Sequence, residues 1–256
     1  SSMKSSLLKL KRAKQHLDSL ESVVAEYRSS HPNALSVQYD ISTGQTSWVV
    51  VINEDIRDEI ALLLGDIIHN GRSSLDLLAN ELLTDAGLTP TRNTYYPFAE
   101  NAAQLQDRLT RTGLIGLDGQ ALSYFSAHPP SKDQNPALYS LHALDIVDKH
   151  RTITPVSPFV EIDHLVVTTQ SGPLAFGKMR MPLENGRCFL SGIPGQIQNS
   201  DFSCSSFPVF TISDNDLGFD WHHVFPNEED CVVSQAALLL NAAETVLAHF
   251  YPGSFS

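Results

Sequence analysis

The chain is short of cysteine and of positive charge and has no long apolar run. Each shortage excludes something. Its three cysteines, Cys188, Cys204 and Cys231, are odd in number and lack metal-ligand spacing. That usage fits reduced thiols and argues against a disulfide scaffold or a cysteine-based metal site. Lys and Arg total 17 against 29 Asp and Glu, a formal net charge of −12. Such a balance disfavours a general binder of nucleic acid or of acidic membranes. No apolar run approaches the ~18 residues of a transmembrane helix, and no basic-then-apolar leader is visible. A cytoplasmic protein with no membrane partner is therefore expected. Ser1-Ser2 before Met3 reads as a tag remnant. The sequence also lacks a Gly-rich phosphate loop, a nucleophile elbow, paired CxxC motifs and internal repeats, and no cofactor is implied.

What is present suffices for a core. The 256 residues are 42% apolar and 18% charged, material for one large domain or two small ones. Leu7, Leu10, Leu17, Leu20, Val24 and Tyr27 recur at helical steps and predict a helix over 5–28. Its start is basic: Lys4, Lys9, Lys11, Arg12 and Lys14 precede any acid. A charge run of this kind reads either as a phosphate or RNA patch or as the solvated face of an amphipathic helix. Strand-like segments at 35–40 and 47–53, separated by Ser42-Thr43-Gly44, predict a hairpin. The longest helical pattern covers 56–84, with Ile60, Leu64, Ile67, Ile68, Leu75, Leu78 and Leu82 on one arc. Gly71 interrupts that arc at a cost of ~1 kcal/mol against alanine, which close approach of another helix would offset. Shorter helices are expected at 100–112 and 118–126. Asn135-Pro136 is a capping start signal for a helix running to about 150. Residues 152–228 lose helical periodicity and carry strand candidates at 159–169, 174–181, 187–190 and 207–212. Helix returns over 229–250.

The expected fold class is α+β: a four- to five-helix bundle with an N-terminal β-hairpin and a β-rich insertion before the last helix. In domain terms, 1–151 and 229–256 would form the bundle, with the hairpin at 35–53, and 152–228 would pack on it as an insertion.

The polar arc of the long helix is unusual. It carries Asp66, His69, Asn70, Arg72, Ser73, Asp76 and Asn80, with no Lys or Glu between 60 and 80. Short polar groups on a helix face suggest a face covered by protein or lining a cleft, where leaving them unpaired costs ~1–3 kcal/mol each. A second cluster ends the helix at 136–150: His142, Asp145, Asp148, Lys149, His150 and Arg151. There Asp148 continues the apolar stripe of Leu141 and Leu144. Opposite charges carried toward burial need partners, so the two clusters are expected to face one another. Arg72 or Arg151 would then pair with Asp66, Asp76 or Asp148.

Three chemistries could use such a set. Asp66 and His69 resemble half of a carboxylate-bridged di-metal motif, but the other ligands are missing and no metal site is assigned. Metal-free RNA cleavage would use a His or Asp as base and Arg on the phosphate. A buried ion-pair network fixing helix register is the structural reading. Elsewhere, His222-His223 with Asp216 and Asp220 reads as a loop, and His128 has no visible partner.

The run Gly65-Asp66-Ile67-Ile68-His69-Asn70-Gly71-Arg72-Ser73-Ser74-Leu75-Asp76 is followed by Tyr96-Pro97-Phe98 and then by Asp148-Lys149-His150-Arg151. In this it resembles an uncharacterised bacterial family sharing GDxxHNxRSxLDxL, a Phe-Pro loop and LxxLxxxDKHR, over about residues 5–155. More loosely, it resembles the HEPN superfamily of helical-bundle ribonucleases and their inactive relatives, whose signature is Arg, four to six residues, then His. Arg72 matches that arginine, while Leu77 stands where the histidine would be. The resemblance implies a degenerate HEPN-like interaction or sensor protein. Its alternative is a metal-independent ribonuclease or nucleotide-binding protein in stress or phage defence. In that alternative Arg72 would bind phosphate, and His69 or His150 would act as acid and base. Asp66, Asn70, Ser73, Asp76, Asp148, Lys149 and Arg151 would bind or orient. RNA or a nucleotide is the partner class it implies, and a homodimer is compatible with it.

Overall fold

A computed structural model of the chain describes residues 3–30, 35–50, 54–150, 156–169, 171–183, 187–188, 202–212, 224 and 231–255. Among these, six helices form: α1 (Ser5–Ser30), α2 (Glu54–Asp85), α3 (Leu105–Thr112), α4 (Gly119–Ala127), α5 (Pro136–His150) and α6 (Val232–Phe250). Seven strands are described: β1 (Leu35–Asp40), β2 (Gln45–Val50), β3 (Val156–Thr169), β4 (Gly172–Phe176), β5 (Met179–Pro182), β6 (Arg187–Cys188) and β7 (Phe202–Ile212).

The expected architecture needs correction. The principal sheet has four antiparallel strands, β3, β4, β5 and β7, and lies in the C-terminal half, while helices lead the chain. Nor do residues 35–50 stand as an N-terminal hairpin on a bundle, because β2 takes β6 as a second neighbour and makes a three-stranded sheet. An isolated two-stranded hairpin is marginal in water, and a third strand relieves that. Residues 51–53 of the expected second strand lie outside the described residues. The chain divides into two compact units. The first draws on Ser1–Leu20, Ala61–Pro155 and Asp214–Ser256, the second on Glu21–Ile60 and Val156–Ser213. Segment 21–60 thus groups with the sheet segment 156–213, whereas the sequence pattern places it with the bundle.

In the second unit β3 is the organising strand. It pairs with β7 along nearly its whole length, and with β5 and β4 in succession on its other edge. Val160 and Ile162 are buried, and so are Leu165 and Val167. Strict alternation would have put His164 inward instead of Leu165. A bulge in the β3–β7 register between Ile162 and His164 resets the phase, which is what an extra residue in one strand does. Glu161 is held among cations, with Arg180 Nη2 at 3.1 Å and Lys178 Nζ at 3.7 Å.

In the first unit the apolar stripe of α2 (Leu64, Ile67, Ile68, Leu75, Leu78) is fully buried with Leu10 and Leu20 of α1, Leu138, Leu141 and Leu144 of α5, and Leu239, Ala243 and Leu247 of α6. Helix α6 is long and apolar enough to span a membrane by length and composition. Its apolar character has another use here, since Val232, Ala236, Leu239, Leu240, Ala243, Val246 and Leu247 are core residues. The helix interrupted by Gly71 is indeed approached closely. A Cβ at Gly71 would lie 3.2 Å from Leu240 Cδ1 and 3.5 Å from both Leu141 methyls. Alanine would need a shift of a few tenths of an ångström, and a branched side chain would not fit. Gly71→Val is expected to lower unfolding free energy by about 1–3 kcal/mol through overpacking, read by chemical denaturation.

Candidate functional site

The two polar clusters predicted to face one another do so, by different pairings from those expected. Helices α2 and α5 run antiparallel, as three cross-contacts show. A Cβ on Gly65 would lie 2.9 Å from Asp148 Oδ1, so the Asp148 carboxylate occupies the space that glycine leaves. His69 Nδ1 is 3.1 Å from Asp145 Oδ1. Arg72 Nε donates to His142 Nδ1 at 3.1 Å.

Arg72 is the centre of an inner tier. It is 6% exposed. Its Nη1 forms an ion pair with Asp76 one turn on, without hydrogen-bond alignment. Its guanidinium lies 4.6 Å from the centroid of the Phe98 ring. Phe98 in turn stacks on His142, rings 4° from parallel and 4.5 Å apart. Because a guanidinium only donates, His142 Nδ1 must accept, so its hydrogen sits on Nε2 and the ring is neutral. Asp76 has a second duty, since its Oδ1 accepts the backbone N–H of Tyr96 at 2.9 Å. Asn80 donates to the Thr94 carbonyl at 3.3 Å. The 90–98 loop is thereby fastened to α2, and this places Phe98 against Arg72.

Tyr96 is wholly buried, and among the described residues its hydroxyl has no hydrogen-bond partner. Burial drives its phenol well above the usual value. Nearby Tyr124 adds to this, and Arg72 opposes it. On the outer edge Tyr139 donates to Glu100 Oε1 at 2.5 Å and meets His142 edge-on. Burial and the Glu100 carboxylate both raise its phenol.

An outer tier is nearer to solvent. His69 is 44% exposed on its side chain, while Asp145 beneath it is 5% exposed. An ionised carboxylate only accepts, so Nδ1 carries the hydrogen and Nε2 remains for whatever meets the face. Asp66, on the same stripe, leans toward α1. Its carboxylate is 60% exposed and 3.8 Å from His16 on α1. Asn70 accepts from Lys9 Nζ of α1 at 3.1 Å and donates to the Asp66 carbonyl. Ser73 is half-buried one turn after His69. The side chains of Lys149 and His150 lie outside the described residues, as do Arg151 and the His222-His223 segment.

The expected salt bridge from Arg72 to a carboxylate across the helices is therefore corrected. Its carboxylate partner is Asp76 on its own helix, and across the gap it meets a histidine. Sequence reasoning missed the part of Phe98 and Tyr96, although the Tyr-Pro-Phe run was visible as a motif. Among the described residues no three His, Cys, Asp or Glu side chains gather as a metal set. Comparison of the chain with models of known protein families, with curated proteins and with solved structures returns no match.

Two outcomes are expected in this tier. In a double-mutant cycle, Arg72→Ala and Asp76→Ala should each destabilise, with a coupling of about 0.5–3 kcal/mol, because Asp76→Ala strands the buried Arg72 charge and the two belong to one network. Tyr96→Phe should be stabilising, since it removes a buried hydroxyl that is unsatisfied. Its phenol is raised in the fold, so in the unfolded chain it ionises first, near pH 10. Stability is then lost as pH rises through and beyond that value. Urea denaturation at pH 7 and above pH 10 should show Tyr96→Phe flattening the alkaline loss.

Proposed function

We propose that the chain is a degenerate HEPN-like interaction or sensor module with no catalytic activity of its own, built around a structural Arg72–Asp76–His142 network. The observation that carries this reading is the state of Arg72. The residue that the resemblance assigns to phosphate is buried, engaged by protein acceptors and covered by Phe98. A phosphate would compete there with Asp76 and His142. Leu77 at the expected histidine position and the net charge of −12 agree with this reading.

The partner-facing surface is the outer tier. Leu62, Asp66, His69 and Ser73 follow one stripe of α2 at helical spacing, and Leu62 is 59% exposed. Ile146 on α5 is 44% exposed.

One observation favours the alternative of a metal-independent ribonuclease. His69 is oriented by a buried carboxylate and has Nε2 available, the usual arrangement of a general base. The two readings separate in one assay. Purified protein is incubated with single-stranded and hairpin RNA in EDTA, beside His69→Gln, whose amide can still donate to the buried Asp145 carboxylate and whose melting temperature is measured alongside. No cleavage, or traces equal in both proteins, is expected. Cleavage by the wild type that His69→Gln abolishes at unchanged melting temperature would overturn the proposal.

A further inference from the structure

A second feature of the first unit lies away from the two clusters. Between the start of α1 and the turn at Pro252–Ser254 there is a cleft of about 600 Å³, within the ~300–1,000 Å³ of small-molecule sites. Its apolar lining comes from Met3 just before α1, from Leu7 and Leu10 of α1 and from Phe255. Lys4, Lys11 and Lys14 border it.

These lysines belong to the basic run that opens α1 in an otherwise acidic chain. Lys4 is paired with Asp85 at 2.8 Å and Lys14 with Glu244 at 2.6 Å. Lys11 is exposed, and among the described residues it meets no carboxylate. Lys14 Nζ also lies 5.9 Å from the centroid of the Phe255 ring, which places positive charge directly beside the apolar wall. The Lys11–Lys14 end is therefore the place for an anionic head. From Lys11 back to Ser5 the helix rises about 9 Å, with Met3 just before its first residue, and along that length the lining is Leu10, Leu7 and Met3. One extended alkyl chain of medium length fits such a track, with its methylenes against leucine and phenylalanine.

We propose that this cleft binds a single-chain alkyl carboxylate, with its head at Lys11 and Lys14 and its chain along Leu10, Leu7 and Phe255. The shape supplies the apolar contact. The Lys11 ammonium, which meets no carboxylate among the described residues, gives the preference for an anion, since a charge-assisted hydrogen bond is among the stronger single contacts. A free inorganic anion would leave the apolar floor unused, and a cationic amphiphile would meet like charge.

The test is titration calorimetry of the full chain with sodium decanoate below its micelle concentration. Saturable binding of one decanoate is expected. Lys11→Gln, at an exposed position, should weaken it about tenfold, the loss of one charged contact. Leu7→Gln should weaken it by a similar factor, and Arg92→Gln, in an exposed loop elsewhere, should leave it unchanged. Acetate and decyltrimethylammonium should show no saturable binding. Three results would overturn the proposal: no saturable decanoate binding, binding that Lys11→Gln leaves intact, or equal binding of the cationic amphiphile. None of these results bears on the ribonuclease question, because the cleft shares no residue with the α2–α5 face.

Discussion

One buried guanidinium ties the α2–α5 region together. Removing a charge from water costs several kcal/mol unless its partners are close and well placed. Arg72 meets that condition by drawing on three separate parts of the chain. Asp76 comes from its own helix, His142 from α5 and the Phe98 ring from the loop after α2. Each partner is in turn fixed by something else. Asp76 also receives the Tyr96 N–H, and His142 is held flat by Phe98. The loop cannot move without loosening the arginine, and the arginine cannot move without exposing Asp76. Interdependence of this kind gives a register, and register is what two antiparallel helices need when their contact surfaces include glycines that alone would permit sliding. Gly65 and Gly71 let α5 come close, and the polar contacts fix where along α2 it stops.

The absence of Lys and Glu from the middle of α2 has a counterpart on α1. Helix α1 sends donors across to α2, where acceptors receive them. Lys4 reaches Asp85, Ser6 reaches Glu81 and Lys9 reaches Asn70, while His16 approaches Asp66. The basic start of α1 thus supplies two of the four donors of this seam, Lys4 and Lys9. Glu81 at the end of that seam also accepts from Tyr251 beyond α6, and Lys14 reaches Glu244 on α6. Polar residues bind α2 to α1 on one flank and to α5 on the other, and the apolar stripe between them is covered by all three partners. Lys11 meets no acid of this seam, which leaves its charge unspent at the cleft.

The helices were legible in the sequence because periodicity is a local property of the chain. The pattern over 56–84 became a helix at Glu54–Asp85, and Asn135-Pro136 marked the start of α5. What the sequence did not reveal was non-local. No pattern at 45–50 states that a third strand will come from residue 187, and no alternation rule announces the bulge that returns Leu165 to the buried face. The site divides the same way. A helical wheel showed that the two clusters would meet, but it cannot decide which acceptor a side chain reaches. Arg72 spans one turn to Asp76 more readily than the gap to Asp148, and Asp148 settles over a glycine that offers room. Phe98 escaped notice because its loop has no period. Its position depends on Asp76 and Asn80, residues roughly 20 positions away, across a loop whose path no local pattern encodes.

Burial separates the face into tiers with different capacities. The inner tier is dry, and a ligand there would compete with the Arg72–Asp76 pair and the Arg72–His142 bond, although Arg72 Nη1 and the Tyr96 hydroxyl themselves make no hydrogen bond among the described residues. The outer tier has His69 anchored from below and half exposed above. An active site for phosphate chemistry would place its cation in the outer tier, next to the base, because the developing charge must be met where the substrate lies. Here the cation is inside and the histidine outside. That separation leaves Arg72 occupied in holding the helices together, while His69, fixed in orientation by Asp145, is half exposed above it.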